Sequence, residues 1–407
     1  MKALNYLALL SLLLSSSLLA NEVNKVSFDD YISKIKKEQF NFDYEKNEAE
    51  SSKLRDSWIA PLNLNYSYSK SNPYEDFKGE QTSKSAAIRM DQPIFQSGGI
   101  YYGIKYAIAF KKYSDHSVDV AKRKMIKDAI SFLMQIKQSD LKIQRQRLQI
   151  KNSEINLEQK KEQYINGQLD SGFLDNAVIE RNIVIQNLYD IETSKQRLIS
   201  SFSTLSDLDY KNTSIPYLEL LNKEEFLEHN IILQMADSKI EENKYNKNVT
   251  IAKYLPAVNL TAGYNWGKSE NQLYSQSDGE RDYYDYGFKA SVPLSINTFR
   301  DIESAKIDFL KSSVVKEDNK IELDALFNQV MQNLENLDKK KLLSSENKEI
   351  YSKLLVDTKS LYQAGYKTVY DVNLLENSVK ISDLDSKIYE IDKQLELLTL
   401  YEMYVNN

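Results

Sequence analysis

The chain carries one plan twice, and any fold must house both copies. Pro61-Leu62-Asn63-Leu64-Asn65-Tyr66-Ser67-Tyr68 has a counterpart in Pro256-Ala257-Val258-Asn259-Leu260-Thr261-Ala262-Gly263-Tyr264. Asp91-Gln92-Pro93-Ile94-Phe95 matches Ser291-Val292-Pro293-Leu294-Ser295, and Tyr164-Ile165-Asn166-Gly167 matches Tyr362-Gln363-Ala364-Gly365. From Pro61 to Pro256, Pro93 to Pro293 and Tyr164 to Tyr362 the offsets are 195, 200 and 198 residues. Landmarks in one order at nearly one spacing indicate a tandem duplication. The first repeat covers 21–210: a helix, strands at about 60–70 and 83–95, a long helix at about 97–166 and a helix at about 174–205. A linker at 206–222 leads to the second repeat, 223–407: a helix, strands at about 256–267 and 283–294, and helices at about 297–364 and 371–404.

The four strands alternate. Leu62, Leu64, Tyr66 and Tyr68 interleave with Asn63, Asn65, Ser67 and Ser69. Val258, Leu260, Ala262, Tyr264 and Trp266 do the same against Asn259, Thr261, Gly263 and Asn265, as do Tyr284, Tyr286, Phe288, Ala290 and Val292 against polar neighbours. Ala86, Ile88 and Met90 form the weakest run. Period two puts one face in an apolar medium and the other in water. About ten residues suffice to cross a bilayer as a tilted strand, and aromatic ends suit its interfaces. A soluble sandwich also fits the alternation, but four strands could not cover a core beside so much helix. The polar stretches from about Lys70 to Thr82 and Lys268 to Asp282 read as hairpin tips facing outward.

The helices are long. No proline occurs from Gly98 to Asn166 or from Asn297 to Ala364, and either stretch would extend roughly 100 Å as one helix. Met134, Leu141, Leu148 and Ile155 recur at seven, and so do Ile136, Ile143, Ile150 and Leu157. The two series lie roughly 200° apart, so this helix has two apolar seams. A stave in a cylinder packs on both sides, and so does a member of a flat helical array. Ala177, Val184, Ile191, Leu198 and Leu205 form another heptad series, and Leu374, Ile381, Ile388 and Leu395 interleave with Leu384, Ile391 and Leu398. Such repeats predict left-handed supercoiling.

Composition narrows the function. With 11 Gly and 6 Pro in 407 residues, most of the chain should be helical. A net charge of −6 without a basic patch gives nucleic acid nothing to bind. Cysteine is absent, which excludes disulfides and thiolate metal sites. Lys2 followed by the apolar run Leu4–Ala20 reads as a signal peptide over 1–20. No other segment is apolar enough for a membrane helix, so any crossing would be made by strands in a closed barrel. His116 and His229 stand alone as surface residues, and no metal cluster, phosphate loop or catalytic constellation is visible. No enzyme activity and no cofactor are expected.

The repeat plan resembles the outer-membrane efflux protein family, often called TolC-like, over essentially the whole mature chain. Its carriers are the paired Pro-initiated strands, the junction Gln92-Pro93-Ile94-Phe95-Gln96-Ser97-Gly98-Gly99, and two helix-turn-helix tips. The second tip, from Tyr362 through Gly365, Thr368 and Asp371 to Val372, looks like the family's Tyr-x-x-Gly-x-x-Thr/Ser-x-x-Asp pattern. The resemblance implies a mainly α fold with membrane β, in which a homotrimer forms a 12-stranded β-barrel in outer-membrane lipid, joined to a long periplasmic α-helical barrel. It implies the exit duct of a tripartite efflux pump or type I secretion system, partnered by a periplasmic adaptor and an inner-membrane transporter. The tips would form the entrance, with Asp371, Lys367 and Asp175 as gate candidates and Gly167, Ser171, Gly365 and Thr368 as adaptor-docking candidates. Beside that stands a plainer reading: Gly167 and Gly365 end helices, and Thr368 and Asp371 cap the next one.

Three features depart from the pattern. The first tip, Gly167 to Asp175, reads as two residues longer than the second. Leu374 stands where some members carry a second acid, and the junction Asn297-Thr298-Phe299-Arg300 lacks the glycines of Gly98-Gly99. An equatorial segment would come mainly from Ser206 to Asn222. The competing function is a periplasmic coiled-coil adaptor or scaffold, which predicts one β region at the end of a single hairpin.

Overall fold

The computed structural model describes residues 27–72, 80–271 and 279–405. The expected signal peptide and the start of the first repeat lie outside these residues, as do the centres of both hairpin tips. After a 3₁₀ turn at Phe28–Tyr31 the elements run α1 (Lys34–Arg55), β1 (Asn63–Ser71), β2 (Gln81–Phe95), α2 (Gly99–Ile165) and α3 (Ser171–Leu205). The second half runs α4 (Lys223–Glu228), α5 (Ile231–Lys253), β3 (Ala257–Asn271), β4 (Gly279–Ser291), α6 (Thr298–Gln363) and α7 (Val369–Tyr401). The proline-free stretches are single helices of 67 and 66 residues. No helix among the described residues is long and apolar enough to cross a membrane.

The strands form one antiparallel sheet in the order β1-β2-β3-β4, so the two repeats meet at the β2–β3 pairing, where Ile88 lies opposite Tyr264. The strands are longer than their alternation suggested. Lys268 and Ser269 pair with Glu280 and Gly279, and Lys70 pairs with Thr82. The polar ends read as hairpin tips therefore continue the ladder, because backbone pairing does not require apolar side chains. Leu64, Ile88, Tyr264 and Tyr284 lie across the sheet in register on one face. That face is bare: Tyr284, Tyr286 and Phe288 are 76%, 79% and 75% exposed. On the other face Arg89 Nη2 donates to Asn265 (3.1 Å), and Asn265 Nδ2 donates to Asp285 (2.7 Å).

The described chain divides into two compact units. One comprises Phe40–Ala121, Leu227–Ala325 and residue 405, and holds the sheet. Its helical segments stand in the order α1, α2, α5, α6. Asn47 Nδ2 of α1 donates to Asp115 of α2 (3.0 Å), Ser238 of α5 bonds His116 of α2 (3.0 Å), and Lys316 of α6 pairs with Asp237 of α5 (2.6 Å). His116 is therefore half-buried between helices, not the isolated surface residue expected. The His229 carbonyl accepts from Val405 N at 2.9 Å, so this residue is also engaged.

The other unit comprises residues 27–39, Lys122–Phe226 and Leu326–Tyr404, with helical segments in the order α3, α2, α7, α6. Here the two seams of α2 acquire their partners. Gln146 donates to the Val184 carbonyl of α3 (2.8 Å), within the series Ile136, Ile143, Ile150 and Leu157. On the opposite side Gln138 bonds Asp392 of α7, Arg145 pairs with Asp385 (2.9 Å), and Asn377 Nδ2 donates to Asn152 (2.8 Å). These polar residues alternate with Met134, Leu141, Leu148 and Ile155. In turn α7 meets α6 through Lys341–Glu390 (2.5 Å), Lys348–Asp383 (2.6 Å) and Lys393–Asp338 (2.6 Å). Residues 206–222 form an irregular strap held by Gln394, whose Oε1 accepts from Leu218 N at 2.7 Å. Tyr31, Ile130, Leu133, Met134, Phe202, Phe226 and Leu400 fill the core of this unit, each 2% exposed or less.

Candidate functional site

The two helix-turn-helix tips are built alike. In α2, Gln168 N donates to Gln163 O (2.8 Å) and Gly167 N to Tyr164 O (3.0 Å). In α6, Tyr366 N donates to Leu361 O (2.9 Å) and Gly365 N to Tyr362 O (3.0 Å). Each is a Schellman ending, which needs a left-handed residue just past the helix. Gly167 (φ 68°) and Gly365 (φ 80°) supply it. Three residues on, Asp170 and Thr368 cap α3 and α7.

The first tip is therefore not two residues longer than the second: glycine and cap are three residues apart in both. The cap of α3 is Asp170, five residues before the Asp175 that the tip comparison uses. Asp170 Oδ1 accepts from Gly172 N at 2.7 Å, and α3 starts at Ser171, earlier than expected. Ser171 is the first residue of the helix and not its cap. Asp175 lies exposed within the helix. At the 198-residue offset the position matching Asp371 is Phe173, 52% exposed.

In the second tip Thr368 and Asp371 form a capping box. Asp371 Oδ2 accepts from Thr368 N (2.9 Å) and Thr368 Oγ1 (2.9 Å), and Asp371 N donates back to Thr368 Oγ1 (3.3 Å). The Thr368 amide, more than neighbouring Lys367, holds the Asp371 carboxyl below its ordinary pKa. Lys367 itself is exposed. The box brings Thr368 and Asp371 together; Asp175 belongs to α3 and is no member of it.

A tip contact that the sequence did not reveal joins the two hairpins. Tyr370 at the start of α7 donates to Glu162 Oε1 near the end of α2, at 3.0 Å. The carboxylate keeps the Tyr370 phenol protonated above its usual range. The pair is 208 residues apart in sequence, so only the order of the helices reveals it. Around it Ile165 and Tyr366 are 71% and 80% exposed.

The two tips share one design, a Schellman ending on glycine followed three residues later by a helix cap. Residues 223–385 match the family model described as outer membrane efflux protein. This segment belongs to the outer membrane efflux protein family. Comparison with curated proteins returns no significant match. Among solved structures, the outer membrane protein VceC of Vibrio cholerae is similar at 15% identity with a TM-score of 0.67, over 90% of this chain and 93% of that one. The Campylobacter jejuni CmeC outer membrane channel is similar at 12% identity and 0.70, over 93% and 84%. The Neisseria gonorrhoeae MtrE outer membrane channel, in its open state, is similar at 13% and 0.64, over 90% and 84%. These likenesses carry the efflux-protein fold over both repeats, beyond the segment that the family model matches.

Proposed function

We propose that this chain is the exit duct of a tripartite efflux pump or type I secretion system, set in the outer membrane with its helices in the periplasm. One observation carries the reading: a sheet with a bare apolar face, a hydrogen-bonded polar face and two unpaired edges. Four strands cannot close a barrel, and open edges are not tolerated in lipid. Three copies would give twelve strands, apolar side to lipid and the Arg89–Asn265–Asp285 side to water. Two strand pairs and two helical hairpins in one chain also disfavour the adaptor or scaffold, which predicts one β region at the end of a single hairpin.

Conduction in this reading is passive, with energy from an inner-membrane transporter acting through a periplasmic adaptor. Gly167, Ser171, Gly365 and Thr368 mark the surface offered to the adaptor. The entrance is held by contacts between the hairpins, and Tyr370–Glu162 is the outermost of them. Asp371 and Lys367 would line the entrance, with Asp371 tied to its cap. Asp175, outside that group, would face the partner. A gate of this kind is a two-state element biased by partner contact.

Planar-bilayer recording of detergent-extracted protein tests the reading. Discrete conductance steps support it; a protein that inserts and conducts nothing contradicts it.

A further inference from the structure

The polar face of the sheet carries few charges, and the duplication relates two of them. In the register of β1 to β4 this face takes the odd-numbered residues, as far as the irregularity after Pro93 in β2, and most of them are Asn, Ser, Thr or Gly. Its charged members among the described residues are Arg89, Asp91, Arg281, Asp285 and Lys289, three cations against two carboxylates. Arg89 stands four residues before Pro93, and Lys289 four before Pro293. At the 200-residue offset of these prolines, a cation therefore occupies the same place in both repeats. The acids do not recur: Asp91 maps to Ser291, and Asp285 maps to Ser85.

The hydrogen-bonded row through Arg89 runs by Gly263 to Asp285, four residues from Lys289 on β4. Strands closed into a barrel tilt and stagger, so such a row climbs around the axis and does not circle it. The positions that circle the axis at one height are those related by rotation about it. In the three-copy barrel proposed above, six repeats surround one lumen, and their equivalent positions share a height. Resting on that reading, we infer that Arg89 and Lys289 of three copies form a girdle of six cations around the barrel lumen. The girdle makes the outer-membrane end of the duct favour anionic solutes.

The local structure presents these charges to the lumen. Arg89 and Lys289 are both exposed. The Arg89 stem crosses Gly263, where an added Cβ would lie 3.3 Å from Arg89 Cγ. Arg89 Nη2 donates to the neutral Asn265 at 3.1 Å, which orients the guanidinium without cancelling its charge. Lys289 lies opposite Asn259, another neutral residue. The Asp285 carboxylate also lies over Gly263, 3.0 Å from the same added Cβ, and is held there by the Asn265 amide at 2.7 Å. It offsets part of the Arg89 charge and leaves Lys289, four residues along β4, to its neutral partner.

The zero-current potential across a planar bilayer in a potassium chloride gradient reads the preference. Arg89→Gln/Lys289→Gln should lower the chloride-to-potassium permeability ratio by about twofold, the weight of one unit charge about 10 Å from a permeating ion in water. The shift should be largest in dilute salt and vanish near about 1 M, where the screening length is about 3 Å. Each single variant should give part of the shift, and Asp285→Asn should move the ratio the other way. Arg89→Lys/Lys289→Arg keeps both charges and should match the unaltered protein. An unchanged ratio in the double Gln variant overturns the girdle. A shift from one single variant alone overturns the sixfold arrangement, and an equal shift in the charge-keeping variant overturns the electrostatic role. If Arg89→Gln does not assemble, Lys289→Gln decides by itself. Unaltered protein that inserts and conducts nothing overturns the exit-duct reading instead.

Discussion

At the residue scale the tips combine ordinary helix chemistry with one contact between hairpins. The cap at Thr368 answers unpaired amides at the start of α7, and Thr368→Ala should lower stability by about 1 kcal/mol in chemical denaturation. Gly365→Ala should cost about 1–2 kcal/mol, because the left-handed backbone is strained for any residue with a Cβ, although nothing lies within 4 Å of the added atom. Asp371 has a folded pKa below its unfolded value. Its contribution is therefore complete above the unfolded pKa of about 3.9 and is lost as pH falls through the folded value. The pH dependence of unfolding should flatten in that acidic range in Asp371→Asn. Tyr370→Phe deletes the bond to Glu162 while leaving the helices intact. It should raise the open fraction in bilayer recordings with little change in stability; an unchanged open fraction would remove Tyr370 from the gate. Gly167 and Gly365 were legible because left-handed helix endings select glycine. The Asp170 cap was missed because the helix was expected to start only at about 174, and Glu162–Tyr370 is hidden by sequence distance.

At the element scale the long helices were legible through the absence of proline and the seven-residue series. The polar half of each seam was not. Ser139, Gln146 and Ser153 are all 7% exposed or less, yet polar residues at heptad positions read as surface. Ser139 and Ser153 are satisfied by carbonyls of their own helix, at Gln135 and Ile150, while Gln146 reaches the Val184 carbonyl of α3, a partner that only packing supplies. The Lys–acid pairs between α6 and α7 are largely exposed and should each contribute no more than about 1 kcal/mol. Lys348→Ala should therefore barely move the denaturation midpoint. Gln394 is a different case, 4% exposed and holding the strap at Leu218. Gln394→Ala leaves a buried amide unpaired, at about 1–3 kcal/mol. It should open residues 206–222 to limited proteolysis before the helices are cut.

At the scale of the whole molecule, the alternation in Leu62–Tyr68 and Tyr284–Val292 marked a sheet with one apolar face but could not say what covers it. The structure leaves that face and both edges uncovered within one chain, and in the unit without the sheet the helical row ends at α3 and α6 with Ile179, Ile183, Leu343 and Ile350 half or more exposed. Within the chain the two repeats meet once in the sheet, at the β2–β3 pairing. Strand order and helix order were not legible because neither periodicity nor composition specifies which neighbour an element takes. The central claim is that this chain completes its membrane-facing sheet by assembling, and its subunit number in detergent tests this most directly. Mass measurement by light scattering, corrected for bound detergent, should give three chains in a protein extracted from the outer-membrane fraction. A monodisperse single chain that stays soluble without detergent would contradict the account.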